Sequence, residues 1–233
     1  MKHLTVIQHT SADYLGLIED HLEGRRIRFK YHRPFTGAAS VPAFSEVKDG
    51  LVLLGGGPWG TAGERDVPSL QDEIALTRAC FMAGIPILGL GLGAQILCLA
   101  TDGSSKASPL VFKNEMAKRV DDVALNGFMP ETYPNPVYMR DKPIPPDYAK
   151  ILAVGEDGEP AAFQIGDHTF GFTGHPGFKR AMAEDLIMEF DEIPASPGAE
   201  LDALGAAKHD IGDALVPMMT GLVQLTGWMN KQI

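Results

Sequence analysis

Gly84-Ile85-Pro86-Ile87-Leu88-Gly89-Leu90-Gly91-Leu92-Gly93-Ala94-Gln95 is the stretch whose reading decides the fold. Ile85 to Leu88 is a short apolar run, which reads as a buried strand. It passes into glycines at alternate positions, and a helix then starts from about Ala94. Small residues around a tight strand-to-helix turn are what a nucleophile elbow requires, because its central residue is strained and only small neighbours avoid it. The N-terminus of the following helix offers backbone N–H groups to an anion.

Working outward, the uncharged stretch between Arg78 and Asp102 is long enough to cross a bilayer. Its glycines, Pro86 and Gln95 make one continuous helix a poor reading, and a helix end, a strand and a second helix a better one. Upstream, residues 3–8 read as a first buried strand, Tyr14 to Leu22 as a helix ending near Gly24, and Arg26 to Tyr31 as a second strand. Leu51 to Leu54 is a wholly apolar third strand, closed by Gly55-Gly56-Gly57-Pro58, with a helix from about Ser69 to Ala83 after it. This alternation predicts a doubly wound, mostly parallel α/β sheet, with ligands at the carboxyl ends of the strands. Two glycine turns at adjacent strand ends would shape one pocket.

Downstream, Ala161 to Ile165 and Thr169 to Thr173 flank a Gly166-Asp167-His168 turn and predict a hairpin. Ile211, Leu215, Met218, Met219, Leu222 and Leu225 share one helical face, read as core packing. Pro130 to Pro146 is rich in proline and poor in periodicity, which predicts a long surface segment beside the site. With no linker or repeat in view, the expectation is one domain over residues 1–233 with a helical tail from about residue 199.

Composition narrows the function classes. The 233 residues carry 20 Lys and Arg against 30 Asp and Glu, a formal net charge of −10, which argues against a nucleic-acid surface. Hydrophobic residues at 45% fit a folded globular chain rather than a disordered one. Two cysteines, Cys80 and Cys98, exclude a disulfide framework and point to a reducing compartment, the cytoplasm. The first apolar run stops at Gln8-His9, so no signal peptide or membrane partner is expected. Seven histidines include no spaced pair, and no metal site is expected. His9 and His32 lie near strand ends but read as structural. Trp59 either closes the pocket mouth or simply packs. Gly89-x-Gly91-x-x-Ala94 also fits a dinucleotide fingerprint, but in a later strand and without the acidic residue that should end the next one, so no cofactor is expected.

Taken in order, these segments resemble the class I glutamine amidotransferase family over most of the chain, nearest its stand-alone, GMP-synthase-like branch. Leu53 to Pro58 looks like the family's oxyanion strand, and Gly84 to Gly89 like its approach to the elbow. Gly93-Ala94-Gln95 matches the residues after its nucleophile, Gly174-His175-Pro176-Gly177 its His-Pro-Glu segment, and Tyr138 to Asp141 its Trp-His-Gly-Asp-like loop. The family's glutaminase uses an elbow cysteine, activated by a histidine that a glutamate orients. Here the cysteine position is Gly91 and the glutamate position Gly177, leaving His175 alone. Thr173 and Gly174 replace the usual Gln-Phe and should open space. Cys98 stands seven residues past Gly91, about 10 Å along a helix, too far to substitute.

The resemblance implies a protein that has lost glutaminase chemistry but keeps a pocket. Gly56, Gly57 and Leu92 would supply backbone donors, with Gln95 polar beside them and His175 over a space enlarged by the two glycines. The expected role is a non-catalytic subunit that binds a small amine or amino acid, or docks on a synthase or other multi-subunit enzyme. The alternative is a remodelled hydrolase or amidotransferase using His175 and a bound water.

Overall fold

The computed structural model describes residues 1–37 and 41–229. The apolar runs form the strands expected of them. β1 (His3–Ile7), β2 (Arg28–His32), β3 (Gly50–Leu53), β4 (Ile87–Leu90) and β11 (Thr169–Phe172) pair in parallel in the order β2-β1-β3-β4-β11. Antiparallel strands continue the same sheet, as β10 (Pro160–Ile165), β9 (Lys150–Val154), β6 (Val111–Arg119) and β7 (Thr132–Met139). β5 (Ser104–Lys106) and β8 (Lys142–Ile144) make a separate two-stranded ribbon.

Side chains alternate across the parallel strands, so each strand feeds two cores. Leu51 and Leu53 of β3 pack with Leu76, Cys80, Ile96 and Leu97 of α2 (Leu70–Met82) and α3 (Leu92–Ala100). Val52 and Leu54 face the other way, toward Ile18 and Leu22 of α1 (Leu17–Gly24) and Leu215, Met219 and Leu222 of α6 (Lys208–Leu225). The apolar stripe of the tail is thus part of the core that the first strands build. α4 (Arg180–Glu189) and α5 (Pro197–Ala206) close a third cluster with Phe112, Tyr138 and Phe178.

Three expectations are corrected. Pro130 to Pro146 is not a surface segment, since most of it is β7 and β8, and Tyr133, Asn135, Val137, Tyr138 and Met139 are buried. Its prolines are tolerated because β7 is the last strand of the sheet, where a missing N–H on the unpaired side costs no ladder bond. α1 starts at Leu17 rather than Tyr14, delayed by Gly16 at φ 61°. α3 starts at Leu92, because β4 runs through Gly89 to Leu90 and leaves Gly91 alone as the turn.

Candidate functional site

Gly91 joins β4 to α3 with φ 54° and ψ −112°, a conformation that penalises any side chain. The flanking glycines serve the close approach of helix to strand. A Cβ on Gly89 would stand 2.6 Å from the Gly93 carbonyl oxygen, and one on Gly93 would stand 2.5 Å from the Leu53 carbonyl carbon. A Cβ on Gly91 itself would meet only Gly55 Cα at 3.5 Å and Thr173 O at 3.9 Å, so there is room for a side chain in the turn. The expected tight strand-to-helix turn is present, with glycine at its centre.

The second glycine turn lies beside it. Gly55 admits the carboxylate of Asp13, Gly56 lies against Leu92, and Gly57 (φ 56°) lies under Phe190 and Leu186. Among the described residues, no protein acceptor takes the amide N–H of Gly56, Gly57 or Leu92. Such groups are the material of an oxyanion hole.

His175 sits after β11, buried, with its backbone N–H donated to Pro136 O at 2.9 Å. Its ring is fully engaged by main chain. Nε2 lies 2.8 Å from Tyr14 O, and Nδ1 accepts from the Gly177 N–H at 3.1 Å. This fixes the tautomer with the proton on Nε2. Burial pushes the imidazole pKa down to about 4, so the ring is neutral near pH 7. A main-chain carbonyl therefore orients the ring where the sequence suggested no orienting group.

Gly177 does not clear any space. A Cβ there would stand 3.0 Å from Ile18 Cγ1 and Ile18 N, and 3.1 Å from Leu17 N. The first turn of α1 occupies the position, tied by Leu17 N–H to Gly177 O at 2.9 Å. Gly16 makes the approach possible, because a Cβ on it would run into that same carbonyl oxygen. Gly174 opens nothing either. Its missing side chain is replaced by Asn135, whose Cγ would lie 2.8 Å from a Cβ at 174. The cavity between Gly91 and His175 is only about 10 Å³, the scale of one water.

Gln95 is not among the residues that line this cavity. It is wholly buried, donates from Nε2 to Arg140 O at 2.7 Å and accepts at Oε1 from Thr61 Oγ1 at 2.8 Å. It helps hold the Tyr138–Asp141 segment. There Asp141 (φ 59°) accepts from the amides of Thr61, Ala62 and Ser108 at 2.9, 3.0 and 3.1 Å, and Arg140 pairs with Glu64, Glu192 and Pro58 O. Trp59 lies elsewhere, lining a cavity of about 250 Å³ with His9, Phe35 and Val67. Both His9 ring nitrogens are engaged, with Nε2 2.8 Å from Glu73 and Nδ1 3.0 Å from Gly55 O. Burial alone would lower its pKa, but the Glu73 charge and hydrogen bond outweigh that and raise it. Cys80 and Cys98 are buried, and burial pushes the Cys80 thiol up to about 12.

Sequence reasoning missed Asp13. It lies beyond the end of β1, 3% exposed, and lines the cavity with Gly91, Tyr138 and His175. Burial pushes its carboxyl pKa up to about 7, with the His9 charge offsetting and Glu189 adding. Its place at the carboxyl end of a parallel strand was the one available signal.

Among the described residues, no helix is long and apolar enough to cross a membrane, and no group of three His, Cys, Asp or Glu side chains could hold a metal ion. Val111 to Lys113, which follow the glycine turn in sequence, belong to antiparallel β6.

No protein-family model matches the chain. In sequence it is 27% identical over 220 residues to the glutamine-hydrolysing GMP synthase of Aeropyrum pernix, an alignment taking in 88% of this chain and 41% of that enzyme. The chain thus spans well under half the length of that relative. In structure it is similar to a glutamine amidotransferase of Thermotoga maritima, with TM-score 0.80, 21% identity and coverage of 97% of this chain and 98% of that one. A glutamine amidotransferase of Methylobacillus flagellatus gives TM-score 0.80 at 20% identity, covering 96% and 95%. A Thermoplasma acidophilum protein, proposed to be one subunit of GMP synthase, gives TM-score 0.60 at 18% identity, covering 91% and 98%. The chain has the fold of class I glutamine amidotransferases.

Proposed function

We propose that this chain is a catalytically degenerate relative of the glutamine amidotransferases, acting as a non-catalytic accessory subunit of a synthase or other multi-subunit enzyme that handles amines or amino acids. The observation that carries the reading is the closure at Gly177. The elbow has lost its nucleophile at Gly91, and the first turn of α1 fills the place where an acid would stand. A cavity of about 10 Å³ does not admit an amino acid, which favours docking over substrate binding at the elbow. The likeness to the Thermoplasma protein and to PurLQS of Thermotoga maritima (TM-score 0.53, 14% identity) supports a protein partner. The shared core of α6 and the first strands supports one domain over residues 1–233. Two unpaired thiols fit a reducing, cytoplasmic setting.

A hydrolase using His175 and a bound water gains no support, because both ring nitrogens are held by main-chain partners and the ring has little basicity. Tagged chain purified from its own host tests the role. The proposal expects a stoichiometric partner with synthase-type activity. Recovery only as a lone monomer would contradict it.

A further inference from the structure

The segment from Arg25 to Arg33 carries five of the chain's 20 Lys and Arg, and no acidic residue stands anywhere from position 24 to 45. On a chain of net charge −10 that is a sharp local reversal of sign. Most of the segment is β2, the first strand of the sheet, paired with β1 on one side only. Arg28 N–H donates to Lys2 O and Gln8 N–H to His32 O, both at 2.9 Å. Strand alternation then turns the N–H and C=O groups of Phe29 and Tyr31 outward, where among the described residues no strand takes them. Arg28 and Lys30 are exposed, on the face opposite the half-buried Phe29 and Tyr31. Arg26 is also exposed and holds φ 57°, a left-handed conformation that favours glycine. Among the described residues no carboxylate pairs with Arg26, Arg28 or Lys30. Arg26, Arg28 and Phe29 line an open groove of about 510 Å³ beside this edge.

We propose that β2 is a docking edge for an acidic, extended segment of a partner protein, which adds to the sheet as a further strand. Its backbone pairs with the outward groups of Phe29 and Tyr31. Carboxylates at alternate positions, about 7 Å apart, face Arg28 and Lys30, and apolar residues between them lie beside Phe29 and Tyr31. Main-chain bonds supply affinity and the alternate side chains specificity. Arg26 carries the positive charge past the start of the strand. A second copy of this chain is a poor occupant, because two β2 edges would set like charges against each other. A nucleic acid would answer the charge but not the row of free amide and carbonyl groups. The inference rests on this edge alone and not on the accessory-subunit reading.

The test is fluorescence anisotropy of the full chain with a labelled short peptide of alternating Glu and Val, at low and high salt. Beside it stand the same peptide with its backbone amides N-methylated, a peptide of alternating Lys and Val, and oligothymidylate of matched charge. The Glu peptide should bind saturably and weaken as salt rises, and the other probes should bind about tenfold less tightly or worse. The double variant Arg28→Glu, Lys30→Glu should weaken binding by about tenfold or more. Arg26→Gly, which relaxes the backbone and keeps the fold, should weaken it by about two- to fivefold. Equal binding of the N-methylated peptide or of oligothymidylate overturns the proposal, leaving diffuse charge attraction or a nucleic-acid surface in its place. So does absent binding of the Glu peptide, or affinity unchanged in the double variant. If the double variant does not fold, unchanged affinity in Arg26→Gly overturns it alone.

Discussion

Replacing Gly177 with alanine adds one methyl group at the point where α1 meets the His175 loop. That methyl would sit 3.0 Å from Ile18 Cγ1 and Ile18 N and 3.1 Å from Leu17 N, two of the three being backbone atoms that cannot rotate away. Relief requires shifting the first turn of α1, whose Leu17 N–H to Gly177 O bond is 2.9 Å. Overpacking of this kind costs about 1–3 kcal/mol, or about 2–4 °C of Tm per kcal/mol at this chain length. Gly16→Ala should cost more. Its Cβ runs into the Gly177 carbonyl, and at φ 61° it adds left-handed strain of about 1–2 kcal/mol. Gly24, at the other end of α1, has nothing within 4 Å of a Cβ, so Gly24→Ala should be neutral or stabilise by up to about 1 kcal/mol. Urea unfolding of the three variants, read as midpoint at constant slope, gives the order Gly16→Ala, Gly177→Ala, Gly24→Ala from most to least destabilised. A Gly177→Ala protein as stable as Gly24→Ala would refute the reasoning, since position 177 would then be open to a side chain.

Other consequences are accessible to the same protein. The His175 ring should stay neutral from pH 8 down to about 5 by NMR, because burial holds its pKa near 4. The unfolded chain takes up that proton first, so this residue's contribution to stability is lost as pH falls from about 6.5 toward 4; titration near 6.5 would contradict the buried placement. Asp13 runs the opposite way. Its pKa is raised to about 7, so the folded chain holds the proton longer and stability falls as pH rises from about 4 to 7. Asp13→Asn should therefore gain on the wild type between pH 5 and pH 8, by an amount on the order of a few kcal/mol at most, and a constant difference would count against it. Met219→Ala, fully buried on α6, should cost about 2–5 kcal/mol; a loss under about 0.5 kcal/mol would detach the tail from the core.

The fold was readable because its signals are local. An apolar run followed by alternating glycines is enough to place β4, the elbow and α3, and the register of β10 with β11 follows from one turn. The prolines of β7 misled because proline forbids a central strand but not an edge strand, and being at an edge is a property of the whole sheet. Gly177 misled for a related reason. A missing side chain leaves space only if nothing moves in, and what moved in is α1, remote in sequence and admitted by Gly16. Gln95 lies within the family-like motif, yet its amide is spent on Arg140 O and Thr61. Asp13 belongs to no motif, and only the meeting of β1, β3 and β4 ends gives it meaning.

Ammonia release from L-glutamine by the purified chain, with Gly91→Cys beside it, is the most direct test of the proposed loss of glutaminase chemistry. Both proteins should stay at the uncatalysed background. The native chain has glycine at position 91, and in the variant a thiol would face a histidine whose nitrogens are both engaged by main chain. Sustained glutamine turnover by the native chain, abolished by His175→Ala, would contradict it.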